Sequence, residues 1–359
     1  MSSVLPADRP SGEGIATVVV PRCPLCGGRG PVVYTGVRDR LHAVPGLWSH
    51  RRCERCGSLW LDPRPADADL GRCYPDAYFT HEGGDEADLA RRLDGIKGLV
   101  RRHVLATRFG YRFAEGPAGP SVLGWLVSLL PTVRERAAHS LGPLFLPRPA
   151  GRRLLDVGCG NGFYLAVMRA YGWEVMGQEV DPAAAEAARR AYGVEVTVEP
   201  LGELARRRPE FDVVTASHVL EHVPDPPRFL AAATGCLRPG GLLVVVTPNA
   251  SSLGHRVFRA DWYALDAPRH LLVSTAAGLA AAARTTPCLE DVEIRSLARK
   301  APKTWRLAAD VRRSGRYKSG QPIPRSQRVA ARAFGAVEAL ATRAWPVGEE
   351  LVLTARRPA

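Results

Sequence analysis

From residue 151 to the C-terminus, short apolar runs alternate with stretches whose apolar positions recur every three or four residues. The runs Arg153–Val157, Glu174–Gln178, Val194–Val198, Phe211–Ala216, Leu242–Thr247 and Leu289–Ser296 read as strands, being short and rich in branched apolar residues. Between them, Gly162–Tyr171, Pro182–Tyr192, Pro227–Leu237 and Thr275–Thr285 carry the helical period. Strands separated by helices need parallel crossovers, so the pattern predicts a doubly wound α/β sheet. Glu350–Arg356 reads as a last strand, reached after a basic helical insertion over 297–345.

Upstream the pattern changes. Residues 1–20 show neither period and read as a flexible tail. Pro31–Tyr34 and Leu47–Arg52 are short strand candidates in a small ribbon of about 21–62, which Pro63-Arg64-Pro65 ends. With a helical segment at Leu70–Tyr78 the ribbon makes a domain over 21–80, followed by an acidic, glycine-rich break at His81–Asp85. Residues 86–113 read as one amphipathic helix with arginines on its polar side. Gly124–Leu130 and Leu141–Leu146 are apolar on nearly every side. Such stretches suit a lid over a site, buried core or an interfacial anchor, so 81–150 reads as a helical lid or linker. The remainder, 151–359, is the α/β domain.

The chain has 359 residues, room for a large core and more than one domain. Its first residues lack the charged-then-apolar layout of a secretion signal. No apolar run approaches the roughly 18–20 residues that span a bilayer. A cytoplasmic location is expected, with peripheral contact to the inner membrane as the alternative. The net charge is +13. Twelve basic residues face one acid, Asp310, between Arg295 and Arg332. A bias so local favours an anionic partner: a phosphorylated or lipid-linked small molecule, a membrane surface or nucleic acid.

The chemistry centres on Leu154-Leu155-Asp156-Val157-Gly158-Cys159-Gly160-Asn161-Gly162. An apolar strand runs into three glycines at alternate positions, and a helix begins directly after. This is where backbone can approach a ligand closely. Seventeen residues past Gly162, at the end of the next strand, stands Glu179, at the interval of an acid that holds ribose hydroxyls. The site therefore suits a nucleoside-like cofactor. Dinucleotide sites space their glycines G-x-G-x-x-G, whereas here the spacing is G-x-G-x-G after Asp156; no phosphate-reading lysine follows, which excludes a P-loop. The stretch resembles motif I of the class I S-adenosylmethionine-dependent methyltransferases. That resemblance implies a Rossmann-like, seven-stranded sheet and S-adenosylmethionine as cofactor. It places Asp156, Gly158, Cys159, Gly160, Gly162, Glu179, Val180, Ser217 and His218 around the cofactor, with Cys159 a small filler.

Four of the eight cysteines form two C-x-x-C-G knuckles, Cys23/Cys26 and Cys53/Cys56. Two such knuckles make a closed four-thiolate site for one structural zinc ion, and in a cytosolic chain the spacing argues against disulfides. Residues 21–62 thus read as a zinc ribbon that folds with its metal. Cys73, Cys236 and Cys288 are expected to pack in cores.

On the acceptor side, Ser217-His218-Val219-Leu220-Glu221-His222 follows the fourth strand of the α/β pattern, at the strand end where open sheets bind ligands. It resembles the matching motif of small-molecule and sugar methyltransferases, including those of ubiquinone biosynthesis. There a glutamate stands at the His218 position and joins the matching glutamate and histidine at a divalent metal. Glu221 and His222 match and His218 departs, which argues against a metal. Thr247-Pro248-Asn249, Trp262 and Pro268-Arg269-His270 resemble elements of the methyltransferase type 23 group. For a hydroxyl acceptor a base must take a proton, and histidine suits neutral pH. His270 is the first candidate, with His218 and His222 behind it; Asn249 is a candidate for orienting the acceptor. The expected activity is O-methylation of a saccharide, glycolipid or secondary metabolite by in-line transfer. Rival readings are a zinc-ribbon methyltransferase acting on ribosomal-type RNA and a non-catalytic scaffold that binds S-adenosylmethionine.

Overall fold

A computed structural model describes residues 14–74, 86–113, 116–139, 144–147, 152–207, 210–317 and 324–359. The elements run β1 (Thr17–Val18), β2 (Val32–Val37), β3 (Trp48–Arg52), β4 (Leu59–Leu61), β5 (Arg64–Pro65), α1 (Glu86–Leu93), α2 (Gly95–Phe109), α3 (Val122–Ser128) and α4 (Pro131–His139). Then come β6 (Arg153–Val157), α5 (Phe163–Ala170), β7 (Glu174–Gln178), α6 (Pro182–Tyr192), β8 (Glu195–Thr197), α7 (Leu201–Arg207), β9 (Phe211–Ser217), α8 (Pro226–Gly235) and β10 (Leu237–Pro248). The chain ends with α9 (Leu253–Phe258), β11 (Leu272–Val273), α10 (Ala276–Thr285), β12 (Glu290–Leu297), α11 (Ala301–Ser314), α12 (Arg325–Ala341) and β13 (Glu350–Arg356). It divides into two compact units, one of 1–76, 217–231 and 245–354, the other of 77–216, 232–244 and 355–359.

A seven-stranded sheet has the order β12-β13-β10-β9-β6-β7-β8. β6 pairs in parallel with both β7 and β9, and β7 with β8. Strand order reverses between β6 and β9, the switch point at which such sheets bind ligands. The burial of Leu154, Leu155, Val213 and Val214 explains their continuous apolar runs, since strands covered on both faces need no alternation. The helices between them are marked locally. Asp181 caps α6 by accepting from the Ala183 N–H, Pro182 opens it, and Gly193 closes it in the left-handed region.

In the unit of 1–76, 217–231 and 245–354 the ribbon strands form a four-stranded sheet of order β11-β4-β3-β2. Its outer strand β11 lies more than two hundred residues downstream and pairs antiparallel with β4, Leu272 opposite Trp60. Trp48, Leu61 and Leu271 share one core, and Leu59, Trp262 and Val273 another. The 21–80 segment is thus completed by chain that the sequence pattern assigned to 151–359.

Several expectations need correction. The helix expected over 86–113 is two helices, broken after Asp94 where Gly95 adopts φ +71°, a conformation cheap only for glycine. The strand expected over Leu242–Thr247 runs the twelve residues of β10. The helical segment at Leu70–Tyr78 is a 3₁₀ turn at Asp67–Cys73 as far as it is described. Cys73 and Cys236 are buried, but Cys288 is exposed. Leu144 and Leu146 are core, while the apolar residues around α3 face solvent. The break at His81–Asp85 and most of the 1–20 tail lie outside the described residues.

Candidate active site

The glycine loop leaves β6 with Gly158, Gly160 and Gly162 at φ +67°, +53° and +75°. A Cβ at Gly162 would stand 2.7 Å from the Ala188 Cβ of α6, so this glycine also lets α5 pack on its neighbour. The loop's N–H groups are already engaged. Gly158 and Cys159 donate to the Gln178 carbonyl at 2.7 and 3.2 Å, and Gly162 to the Cys159 carbonyl at 3.1 Å. Gly160 donates to Glu179 Oε2 at 2.8 Å. What the glycines offer a ligand is therefore bare backbone and not free donors. Glu179 is buried; its second oxygen accepts from the Asp181 N–H at 3.1 Å. Val180 beside it is exposed.

Asp156 lies buried at the end of β6 and accepts from Thr215 Oγ1 at 2.6 Å. Burial pushes its carboxyl up to about 7, with the Thr215 bond opposing and Glu179 adding to the rise. Gly177 was missed in the sequence. A Cβ there would overlap the Cys159 sulfur, so Gly177 is what makes room for Cys159. The signal was present as a glycine interrupting an apolar strand.

The histidines belong to the other unit. His218 sits at φ +60°, a strained conformation for a side chain with a Cβ. Its Nδ1 lies 3.0 Å from Glu221 Oε1 and its Nε2 2.8 Å from Glu350 Oε1, with the Lys300 ammonium also against Nε2. Lys300 and Arg299 also pair with the Glu350 carboxylate, at 2.8 and 3.3 Å. Burial and the Lys300 ammonium pull the His218 pKa down, but the bonds to the two glutamates win and raise it. Burial would raise Glu221, yet its bond to His218 brings it down to about 2. Both His218 nitrogens are therefore engaged. Thr247 Oγ1 donates to the other Glu221 oxygen at 2.9 Å.

His270 is placed differently. Its Nδ1 donates to the Ala264 carbonyl at 2.7 Å, which leaves the Nε2 lone pair available. Asp266 Oδ2 is 3.9 Å from that nitrogen. The His222 ring stands edge-on to it, centroids 4.7 Å apart. His222 Nδ1 lies 2.8 Å from the Tyr74 hydroxyl and 3.1 Å from the Arg269 carbonyl; burial and His270 bring its pKa down to about 4. Glu221, His222 and His270 each place one ligand atom within 4.8 Å of the others. His270, and not the residue at position 218, is thus the one that could join Glu221 and His222 as a third donor.

Around this cluster the side chains are structural. Arg269, fully buried, donates to both oxygens of Asp39 at 2.7 Å and to Asp266 at 2.6 Å. Asn249, also fully buried, donates to the Pro346 and Gly348 carbonyls at 2.9 and 2.7 Å. Glu338 and Glu349 form a buried acid pair. Glu338 Oε1 accepts the Glu349 N–H at 2.8 Å, and Glu349 Oε2 accepts from Trp262 Nε1 at 3.0 Å. Burial first, and then neighbouring carboxylate charge, hold both well above the usual carboxylate range. Carboxyls raised on folding stabilise at low pH, and that stability is lost as pH rises above about 4 toward their folded values. Glu338→Gln keeps the acceptor and needs no proton. It is expected to stabilise the fold by about 1–3 kcal/mol at pH 8 and less at pH 5, as read by urea unfolding; a variant weaker than the parent at pH 8 would contradict this origin.

The four cysteines meet in two mirrored knuckles. Cys23 and Cys56 sulfurs are 3.7 Å apart and Cys26 and Cys53 sulfurs 3.4 Å, with all four within 4.8 Å. A zinc tetrahedron with bonds of about 2.3 Å has edges of about 3.8 Å, so the donor set fits one zinc ion. Each knuckle closes with the same turn: Gly27 N–H to the Cys23 carbonyl and Gly57 N–H to the Cys53 carbonyl, both 2.9 Å.

Residues 131–286 match a methyltransferase-domain family of type 23. A ubiquinone biosynthesis O-methyltransferase of Xanthomonas axonopodis pv. citri is 35% identical over 127 residues, which are 32% of this chain and 53% of that protein. One from Alkalilimnicola ehrlichii is 39% identical over 126 residues, 31% of this chain and 50% of that protein. The chain spans about half the length of the curated relatives it matches. Among solved structures, a SAM-dependent methyltransferase from Archaeoglobus fulgidus is similar with 18% identity and a TM-score of 0.40, over 64% of this chain and 94% of that one. Among the described residues, no helix is long and apolar enough to cross a membrane. The glycine loop, the sheet order and the matched stretch agree: this chain carries a domain of the class I S-adenosylmethionine-dependent methyltransferases, preceded by a four-cysteine cluster that fits a zinc ribbon.

Proposed function

We propose that the protein transfers a methyl group from S-adenosylmethionine to a hydroxyl of a small acceptor, a saccharide, glycolipid or secondary metabolite. The observation that carries this reading is the G-x-G-x-G loop held against Glu179 at the switch point of the sheet. The bound cofactor supplies an electrophilic methyl on a sulfonium. Glu179 would take the ribose hydroxyls, exchanging its Gly160 bond for them, while Gly158, Gly160 and Gly162 leave room for the methionine part. Asp156, Cys159, Val180 and Ser217 complete the cofactor surroundings in this reading. The four cysteines hold structural zinc.

Of the three histidines, His270 is the one we assign as general base, because its Nε2 keeps a lone pair and its ring reaches solvent. His218, held between Glu221 and Glu350, positions the loop after β9. His222 supports His270 edge-on. His270→Ala is expected to lower methyl transfer about 10²–10⁴-fold, the usual contribution of a positioned base, and to leave cofactor affinity unchanged. The assay is transfer of labelled methyl into fractionated polar and lipid metabolite pools; full turnover by the variant would remove His270 from the role.

A further inference from the structure

We propose that α3 and the outer side of α2 dock the protein onto an anionic phospholipid bilayer. The inference is independent of the methyl-transfer reading and rests on how α3 is mounted. Ser121 caps α3 by accepting from the Gly124 N–H at 3.0 Å. The buried residues of α3 are the small ones, Gly124 and Ser128, one turn apart on one face. Gly124 is pressed so close to α2 that a Cβ would overlap Thr107 and the His103 carbonyl.

The large apolar side chains therefore point the other way. Val122 is 77% exposed and Leu129 70% exposed, with Trp125, Leu126 and Leu130 all above half. On α2, Ile96 is itself 83% exposed. This inverts the usual amphipathic helix, in which large residues go to the core. A run of large apolar side chains exposed on one short helix marks an interaction surface.

Charge selects the occupant. Residues 95–139 contain seven Lys and Arg against two Glu. Arg108 lies 4.1 Å over the Trp125 ring while its Nε donates to Ser128 Oγ at 2.8 Å. Cations and a tryptophan fringing an apolar face suit the headgroup level of an anionic membrane, where apolar tips insert and arginines meet phosphates. A second copy of the chain fits less well, since a two-fold contact would bring the same arginine rims together. A lid would turn these side chains inward.

The test is flotation of the full zinc-loaded chain with phosphatidylcholine vesicles, with and without phosphatidylglycerol. Binding to the phosphatidylglycerol vesicles, several-fold weaker to phosphatidylcholine alone and weakened by salt, is expected. The double variant Leu126→Glu/Leu129→Glu should lose it at least tenfold while keeping S-adenosylmethionine binding and its melting temperature. No flotation with anionic vesicles, or flotation unchanged in the double variant, would overturn the proposal. A dimer seen by sedimentation and abolished by the same variant would give the face to a second copy instead. Cofactor binding is read separately, so failure of this surface and failure of the methyltransferase reading are distinguishable.

Discussion

Replacing Cys56 by serine is expected to abolish zinc binding and to unfold the ribbon together with the strand that completes it. Zinc contributes on the order of 10 kcal/mol to the folding of small four-ligand sites, and three ligands do not hold it closed. The damage spreads because the knuckle is built into its surroundings. The Cys56 carbonyl accepts from Thr275 Oγ1 at 2.5 Å, and Ser58 Oγ accepts from the Thr275 N–H at 3.0 Å. Thr275 in turn caps α10. Three residues beyond the knuckle, Leu59 pairs with Val273, only three residues from His270. Elemental analysis should find one zinc per parent chain and none in Cys56→Ser, with a lower and broader thermal transition. A variant that melts like the parent would show that these thiols carry no structural ion.

Arg269→Met is expected to destabilise the fold by about 3–5 kcal/mol, the cost of leaving buried charge without its partner. Here two carboxylates are stranded. Asp39 receives both terminal nitrogens of the guanidinium, and Asp266 one of them. Asp39 also accepts the Leu41, His42 and Val44 N–H groups, so the loop after β2 depends on it. Burial would raise Asp39, but Arg269 and those N–H groups hold it below the usual carboxylate range. A depressed carboxylate stabilises above its unfolded value near 4 and loses that contribution as pH falls through the folded value. Arg269→Met should therefore differ most from the parent near neutral pH and least in acid. Arg269→Lys should rescue little, because an ammonium cannot meet both Asp39 oxygens side by side. Urea midpoints at pH 7 and pH 4 check this; a midpoint unchanged at pH 7 would contradict it.

What was legible in the chain was local. The strand, the three glycines and Glu179 lie within 26 residues, and each C-x-x-C knuckle within four, so spacing marked both candidate sites. The histidine cluster was hidden because its chemistry is set from afar. His218 is paired with Glu350, 132 positions away, and Arg269 with Asp39, 230 positions away. No pattern in sequence shows that His218 has both nitrogens bonded and His270 has one. β11 is two residues long, too short for any period, yet it ties the ribbon sheet to the chain following His270. Around α3 the pattern was uninformative in a different way: apolar on all sides, it left lid, core and anchor open until Gly124 showed which face is buried.

S-adenosylmethionine is expected to bind this chain through the glycine loop and Glu179. Titration calorimetry of the zinc-loaded protein with S-adenosylmethionine tests it most directly, with Glu179→Ala beside the parent. Binding at one site per chain, weakened about tenfold or more in Glu179→Ala as expected for loss of a charged hydrogen-bonding partner, is the predicted result. No heat of binding in the parent would mean that the glycine loop and Glu179 do not form a cofactor site.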